Sequence, residues 1–107
     1  MKKTLFVLAT AALTCSLPVH AAGNAEAGKA KSTTCAACHG VDGNSTVPSF
    51  PKLAGQNRDY LYHSLKDYKS GKRKNPIMAG QVQTLSDADM NDLAAYFSKQ
   101  KGVYLKY

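Results

Sequence analysis

The stretch Cys35-Ala-Ala-Cys38-His39 constrains this chain more than any other part of its sequence. Two thiols and an imidazole within five residues are typical of three kinds of site. These are a zinc site, a redox-active cysteine pair, and a site of covalent haem attachment. The chain has one further cysteine, Cys15, in an apolar segment near its start, so these two thiols must act with each other.

Zinc and thiol redox chemistry each leave part of the motif unexplained. A structural zinc ion takes four protein ligands, and the motif supplies at most three. His63 is the remaining candidate, with no second CxxC or HxxxH pattern to accompany it. A thioredoxin-like pair starts a helix that follows a strand, but residues 24–34 are rich in alanine and lysine and do not alternate like a strand. A redox pair would also leave His39 without a role.

Haem attachment uses all three side chains of the motif. Both thiols of a Cys-x-x-Cys-His sequence add to the vinyl groups of haem, and the adjacent histidine becomes an axial ligand of the iron. Two intervening residues let one turn of chain reach both vinyl groups, and the next side chain then falls under the iron. The motif therefore predicts one haem c, attached through Cys35 and Cys38, with His39 as the proximal ligand.

Residues 1–21 have the features of a secretory signal peptide. Residues 1–3 are a short basic start, residues 5–17 are mostly apolar but too few to span a bilayer, and residues 19–21 end with a small residue. We expect cleavage after Ala21 and a periplasmic location. The alternative is a lipoprotein anchored through Cys15, but the preceding Ala12-Leu13-Thr14 lacks the leucine-then-small pattern of such proteins.

The expected mature chain, residues 22–107, has 86 residues and forms one small domain. A chain this short buries a thin core and usually needs a cofactor, metal or disulfide to stabilise it. Loss of Lys2 and Lys3 lowers the net charge from +7 to +5, with 12 basic and 7 acidic residues. Because the chain is expected to be exported, a nucleic acid partner is disfavoured. The positive charge instead indicates an acidic protein or an anionic surface as the partner. No further apolar segment is long enough to span a membrane.

Apolar periodicity and capping residues predict an all-α domain with three or more helices. The first helix begins after Asn24 and runs toward Thr34, the second begins at Asn57 and ends near Gly71, and the third begins after Ser86. The predicted buried stripes are Leu61, Leu65 and Tyr68 on the second helix and Met90, Leu93, Ala94 and Phe97 on the third.

The stretch between the motif and the second helix is predicted to be an ordered loop. Residues 40–55 are rich in Gly, Pro, Asp and Asn, and Phe50 and Leu53 are expected to turn inward against the haem. Gly28 interrupts the first helix at a cost of about 1 kcal/mol relative to alanine. It either allows another helix to cross very closely or is a tolerated surface glycine.

A second axial ligand decides whether the iron transfers electrons or binds substrates. Met90 lies on the apolar stripe of the last helix, where packing explains it, and His63 lies off the buried stripe of its helix, where solvent is expected. Met78 lies in residues 75–80, a segment that lacks helical period and is bounded by proline and glycine. A loop of this kind can fold across the far face of a haem. Met78 is therefore the preferred distal ligand, with a methionine that only covers the haem as the alternative.

Four segments of the sequence resemble the small class I c-type cytochromes of proteobacteria. They are CAACHGVDGNS, PSFPKLAGQNRDYL, GKRKNPIMAG and LSDADMNDLAAYFSKQ, in that order. The chain is most similar to one half of the di-haem cytochrome c4 group and to its single-haem relatives, from about residue 23 to residue 100. The resemblance implies a small class I cytochrome c-like fold around one covalently bound haem.

The same resemblance implies roles for individual residues. Cys35 and Cys38 would form the thioethers, and His39 and Met78 would be the axial ligands. The carbonyl of Pro48 would accept a hydrogen bond from the His39 ring and raise its basicity. The first and last helices of such folds cross closely, which would place Gly28 against Leu93, Tyr96 or Phe97.

These observations together predict a periplasmic monohaem cytochrome that carries single electrons between respiratory redox partners and is not an enzyme. A basic run before Met78, together with Lys52, either steers an acidic partner toward the haem edge or is a solvated helix end. The basic run consists of Lys69, Lys72, Arg73 and Lys74. Two other functions stay open: a haem subunit of an oxidoreductase complex, and a five-coordinate haem enzyme or gas-binding protein. The sequence leaves the oligomeric state undecided.

Overall fold

A computed structural model of the protein describes residues 23–102. Within that range the chain forms five α-helices and no strand, so the predicted all-α class is confirmed. The proposed signal peptide, residues 1–21, lies outside the described residues. The helices are α1 Ala25–Lys31, α2 Thr33–His39, α3 Arg58–Ser70, α4 Pro76–Val82 and α5 Asp87–Ser98.

The three predicted helix starts are confirmed, and each is held by a side-chain cap. The Asn24 side chain accepts hydrogen bonds from the backbone N–H groups of Glu26 and Ala27 at the start of α1. Asn57 caps α3, which ends at Gly71 in the left-handed conformation (φ 81°). Ser86 and Asp89 form a reciprocal capping box at the start of α5. Each cap satisfies backbone donors that have no partner inside the helix.

Helices α1 and α5 cross at Gly28 with their backbones nearly in contact. A Cβ atom at this position would lie 2.0 Å from the carbonyl oxygen of Asp92 and 2.8 Å from the Cβ of Tyr96. The close crossing is therefore confirmed and the alternative of a surface glycine is wrong. Tyr96, one of the three residues that the resemblance placed against Gly28, does lie beside it. The nearest atoms, however, belong to the backbone of Asp92.

An ionic cluster lies beside this crossing. The Lys31 ammonium lies 2.6 Å from a carboxylate oxygen of Asp89 and 2.8 Å from one of Asp92. The other oxygen of Asp92 accepts a hydrogen bond from the backbone N–H of Asn24 at 2.8 Å. The hydrogen bond from Lys31, together with the cap contacts of Ser86, lowers the pKa of Asp89 to about 2. The cluster joins both ends of α1 to α5.

The core is built around α5. Leu93, Ala94, Tyr96 and Phe97 are almost fully buried and form one cluster with Leu61 of α3. The Tyr96 hydroxyl donates a hydrogen bond to the Val41 carbonyl at 2.8 Å, which ties α5 to the loop after α2. The predicted stripe of α5 is confirmed, because all four of its residues are buried: Met90, Leu93, Ala94 and Phe97.

Two short helices were not predicted. The first predicted helix breaks at Ser32, and α2 begins directly after it and contains the whole Cys-x-x-Cys-His motif. The segment around Met78 was expected to be a loop, but it forms α4, capped by the Asn75 side chain with Pro76 in the first turn. Both helices have seven residues, too few for an apolar period to show in the sequence.

The predicted loop between α2 and α3 is confirmed, and its ends are held to the core. The carbonyl of Gly43 accepts hydrogen bonds from the N–H groups of Leu53 and Ala54, at 2.8 and 3.2 Å. The N–H of Gly55 donates to the carbonyl of Phe97 at 3.0 Å. The loop thereby closes on itself and lies against the end of α5.

Candidate functional site

Helix α2 places the three side chains of the motif on one face. Cys35 and Cys38 are three residues apart, and Cys35 and His39 are four apart, so one turn of helix brings all three together. All three line the same cleft, and neither thiol forms a disulfide. Burial raises the pKa of Cys35, which keeps its thiol protonated at neutral pH.

His39 is buried and its ring is held in one orientation. His39 is 7% exposed, and Nδ1 of its ring lies 2.7 Å from the carbonyl oxygen of Pro51. Because a carbonyl can only accept, Nδ1 carries the proton and Nε2 keeps a lone pair available to a metal. A hydrogen bond of this kind orients a histidine ligand and increases its basicity.

The expected role of Pro48 is wrong, because Pro51 provides the carbonyl that contacts His39. Pro48 is exposed and lies within a turn in which the N–H of Phe50 donates to the carbonyl of Val47 at 3.0 Å. The chain returns to His39 only after that turn. Both positions carry proline, so the residue type could not distinguish them, and only the path of the loop does.

The cleft beside α2 has a volume of about 280 Å³ and opens to solvent along a rim of exposed side chains. Its walls come from α2, the loop before α3, and helices α3, α4 and α5. The apolar lining includes Phe50, Leu53, Leu61, Leu65, Tyr68, Ile77, Leu93, Ala94 and Phe97. The predicted inward turn of Phe50 and Leu53 places both in this lining. The cleft is therefore mostly apolar, with polar groups at its edge.

The structure distinguishes the three candidates for a second axial ligand. Met78 lines the cleft from α4, together with His39 from α2. Met90 is 4% exposed in the protein core, and His63 is exposed on α3; neither lines the cleft. The explanations given for Met90 and His63, packing and solvation, are confirmed.

The basic residues near Met78 have different roles. Lys69 donates a hydrogen bond to the carbonyl of Leu85, so it links α3 to the start of α5. Arg73 lies over the ring of Tyr68 and lines the cleft, as does Lys52. Lys72 and Lys74 are exposed on either side of Arg73. The basic run is thus one structural lysine, one arginine at the cleft, and two lysines that face solvent.

The cleft suits a covalently bound haem better than the other two sites weighed from the sequence. Among the described residues, no three His, Cys, Asp or Glu side chains are grouped to hold a metal ion, which disfavours zinc. No strand precedes α2 in the described range, so the thioredoxin-like context is missing. Two unbridged thiols, an oriented histidine and a methionine border an apolar cleft, which is the donor set of haem c.

Comparisons with known proteins show which family the chain is similar to. Residues 25–101 match the sequence model of the family described as Cytochrome c. Cytochrome c-554(548) of Halomonas halodenitrificans is 47% identical over 83 residues, which cover 75% of this chain and 100% of that protein. A protein of Thiomonas intermedia named thiosulfate dehydrogenase electron acceptor is 34% identical over 102 residues, 94% of this chain and 45% of its own.

A solved structure shows the same fold. The crystal structure of reduced recombinant cytochrome c4 from Pseudomonas stutzeri has a TM-score of 0.73 and 52% identity with this chain. The match covers 76% of this chain and 47% of the crystallised one, so the chain spans about half the length of the cytochromes c4 that it matches.

The chain belongs to the cytochrome c family and has the all-α class I cytochrome fold. Its cofactor is one covalently bound haem c. Cys35, Cys38 and His39 line one apolar cleft of the protein. Within residues 23–102, no helix is both long enough and apolar enough to cross a membrane.

Proposed function

We propose that this protein is a periplasmic monohaem cytochrome that carries single electrons between redox partners. One observation supports it above the others: a single apolar cleft collects two unbridged thiols, a histidine whose ring is oriented by Pro51, and Met78. We assign Cys35 and Cys38 as the thioether residues and His39 and Met78 as the axial ligands. Iron with two protein ligands has no position left for a substrate.

The residues of the chain have separate tasks in this role. Bound haem supplies a metal centre that gains and loses one electron. The Pro51 carbonyl holds the His39 ring in one orientation, and the thioether of Met78 would favour the ferrous state of a bound haem. The apolar walls exclude water, so little has to rearrange when the charge changes. Each of these residues would thus hold or shield a redox centre, and none would bind a substrate.

Residues 1–21 belong to the same proposal as a signal peptide that is cleaved after Ala21. Haem c is attached outside the cytoplasm, so an exported chain agrees with the motif. Expression with the native leader in a proteobacterial host, followed by amino-terminal sequencing of the haem-containing product, should begin at Ala22. A product that retains residues 1–21 or carries lipid on Cys15 would overturn this part of the proposal.

The charge near the cleft supports an acidic docking site on the partner. Lys52 lines the cleft, and Lys72 and Lys74 are exposed around its rim residue Arg73. The side chain of Lys72 is 79% exposed, and Asp67 lies 4.0 Å from it, a weak surface pair. Cations around a haem edge speed encounters with acidic proteins, and added salt suppresses the effect.

A pair of charge-reversed variants tests the docking proposal. Replacing Lys72 and Lys74 by glutamate should slow electron transfer to an acidic redox protein and reverse the dependence of its rate on salt. The control replaces Lys29 and Lys99, two exposed lysines that do not line the cleft, so the change in net charge is the same. Equal slowing in both double variants would show that net charge, not a docking surface, sets the rate.

Absorption spectra test the assignment of the axial ligands. The oxidised protein should show the weak far-red band of sulfur bound to ferric iron, and Met78→Leu should remove it while keeping the haem attached. The matched control is Met90→Leu, which changes the same atoms in the core and should keep the band. A high-spin spectrum of the unmodified protein, with ready binding of carbon monoxide, would instead favour the five-coordinate enzyme or gas-binding protein.

A haem subunit docked on an oxidoreductase is the second candidate function. The observation that favours it is the 34% identity with a relative whose name describes an electron acceptor of a dehydrogenase. A diffusible carrier should migrate as a free domain at physiological ionic strength, with the salt-sensitive kinetics described above. A permanent subunit should copurify in a fixed ratio with one oxidoreductase and lose its haem reduction when that protein is removed.

A further inference from the structure

Arg73 is held at the rim of the cleft by residues of α3. Its Nη1 lies 3.4 Å from the hydroxyl oxygen of Tyr60 and 3.3 Å from that of Ser64, and its guanidinium lies 4.8 Å from the centre of the Tyr68 ring. All four residues line the cleft. Arg73 is exposed at the rim, and these contacts hold its side chain against α3.

The guanidinium has spare hydrogen-bonding capacity and no carboxylate partner among residues 23–102. Its two side-chain partners are neutral oxygens that occupy one of its nitrogens, and a guanidinium has five N–H donors. No Asp or Glu is found among the described residues that line the cleft. Because Tyr60 accepts from Arg73, its own hydroxyl proton is left for a further acceptor. The site therefore offers a positive charge and several donors to an anion.

Arg58, unlike Arg73, is paired with a carboxylate of the protein within residues 23–102. The Arg58 side chain pairs with the carboxylate of Asp59 and donates to the side-chain oxygen of Asn91 at 3.2 Å, and it does not line the cleft. Arg58 is therefore already neutralised by the protein. Arg73 therefore remains available to an anionic group that enters the cleft.

Haem carries two propionate carboxylates on the half of the ring away from its vinyl groups. The thiols that take the vinyl groups are on α2, which packs on α1, whereas Arg73 follows α3, which packs on α4 and α5. We propose that Arg73, positioned by Tyr60, Ser64 and Tyr68, is the counter-ion that binds one haem propionate at the cleft rim. A carboxylate is costly to bury, so an exposed rim with a fixed cation is where it is best placed.

This inference rests on the haem assignment made above and adds a residue that tunes the cofactor. A cation beside the haem disfavours the extra positive charge of ferric iron and so raises the reduction potential. Arg73→Gln should lower the midpoint potential more than Arg58→Gln, which removes the same charge outside the cleft. Arg73→Lys should restore part of the difference, because it restores the charge but not the planar fork of donors.

Isotope labelling of the propionates makes the test direct. Cells fed 5-aminolevulinic acid labelled with carbon-13 at its carboxyl carbon produce haem labelled in the propionate carboxylates. The isotope-sensitive bands of the oxidised-minus-reduced infrared spectrum should move in Arg73→Gln and stay in place in Arg58→Gln. Identical labelled bands in wild type and Arg73→Gln would overturn the proposal, as would equal potential shifts in the two glutamine variants.

Two controls keep the result interpretable. If Arg73→Gln fails to retain haem, the double variant Tyr60→Phe and Ser64→Ala keeps the charge but removes both oxygens that hold it. It should give a smaller band shift in the same direction, and an unmoved band would again overturn the proposal. A wild-type protein with covalent haem and the far-red band, but with propionate bands insensitive to Arg73, contradicts this inference alone. Wild type without covalent haem contradicts the haem assignment itself.

Discussion

The crossing of α1 with α5 and the wall of the haem cleft are built in opposite ways. At the crossing, Gly28 lets the backbone of α1 lie against Asp92, and Lys31 forms ion pairs with carboxylates of α5 beside it. At the cleft, Ile77 is 60% exposed and Tyr60 is 52% exposed, although both line an apolar cavity. The first region is completed by the protein's own atoms, and the second leaves apolar surface for a ligand to cover.

The two regions differ in how far the protein alone can stabilise them. The α1–α5 crossing supplies a dry core that needs no cofactor, because residues such as Ala95 and Tyr96 are buried by protein alone and do not line the cleft. Helix α4 has seven residues and packs on α3, so we expect it to depend on bound haem more than the other helices do. Haem is expected to stabilise the cleft wall much more than the helix crossing.

Loss of covalent haem should have the largest effect, and it should act on the cleft wall and not on the helix crossing. Replacing Cys35 and Cys38 by alanine should abolish haem attachment, so that acidified acetone extracts all remaining haem. Amide exchange should then become fast in α4 and stay slowest in α1 and α5. The control Cys15→Ala, outside the motif, should leave attachment intact. Uniform loss of protection across all five helices would show that the crossing also depends on haem.

The crossing itself should be broken by a single methyl group. Gly28→Ala places a Cβ 2.0 Å from the carbonyl oxygen of Asp92, and two backbones cannot move apart without opening the core. We expect a loss of about 3 kcal/mol in the free energy of unfolding, measured with denaturant on the holoprotein. A loss below 1 kcal/mol would mean that the helices do not cross as closely as described.

Acid should weaken the ionic cluster at the crossing. The pKa of Asp89 is about 2 in the folded protein against 3.8 ordinarily, so its contribution is present above pH 3.8 and is lost as the pH falls toward 2. Asp89→Asn should therefore be less stable than wild type at pH 6, and the two should converge by about pH 2. Comparison at each pH cancels the effect of acid on the haem ligands. A constant difference across this range would contradict the assigned pKa.

The smallest effect should come from the other helical glycine. Gly80 lies in α4 with no atom within 4 Å of an added Cβ, in contrast to Gly28. Gly80→Ala should raise the free energy of unfolding by about 0.5 to 1 kcal/mol, because alanine favours the helix and meets no obstacle. Denaturant titration of both variants should show that the same substitution changes the free energy of unfolding in opposite directions in the two regions. Destabilisation by Gly80→Ala would mean that haem or a partner occupies that space.

The long helices could be predicted from sequence because their signals are local. Asn57 and Gly71 mark the two ends of α3, Ser86 and Asp89 mark the start of α5, and the apolar stripe of α5 repeats over about two turns. Helices α2 and α4 have seven residues and carry no such repeat, so they were missed, whereas α1 has the same length but was predicted from its Asn24 cap. Met78 was nevertheless predicted as the second ligand, and it lines the same cleft as His39. Met90 and His63 could be set aside from their positions on the predicted helices alone.

The sequence by itself determined the chemistry of the protein. A Cys-x-x-Cys-His motif specifies thioether attachment and a histidine ligand through the spacing of three side chains on one turn. Only the tertiary structure decided which carbonyl orients His39, that Asp92 receives Gly28, and that Arg73 rather than Arg58 reaches the cleft. These contacts join residues that are distant in the chain or related by an irregular loop. The path of the backbone places them, and no local pattern of residue types records that path.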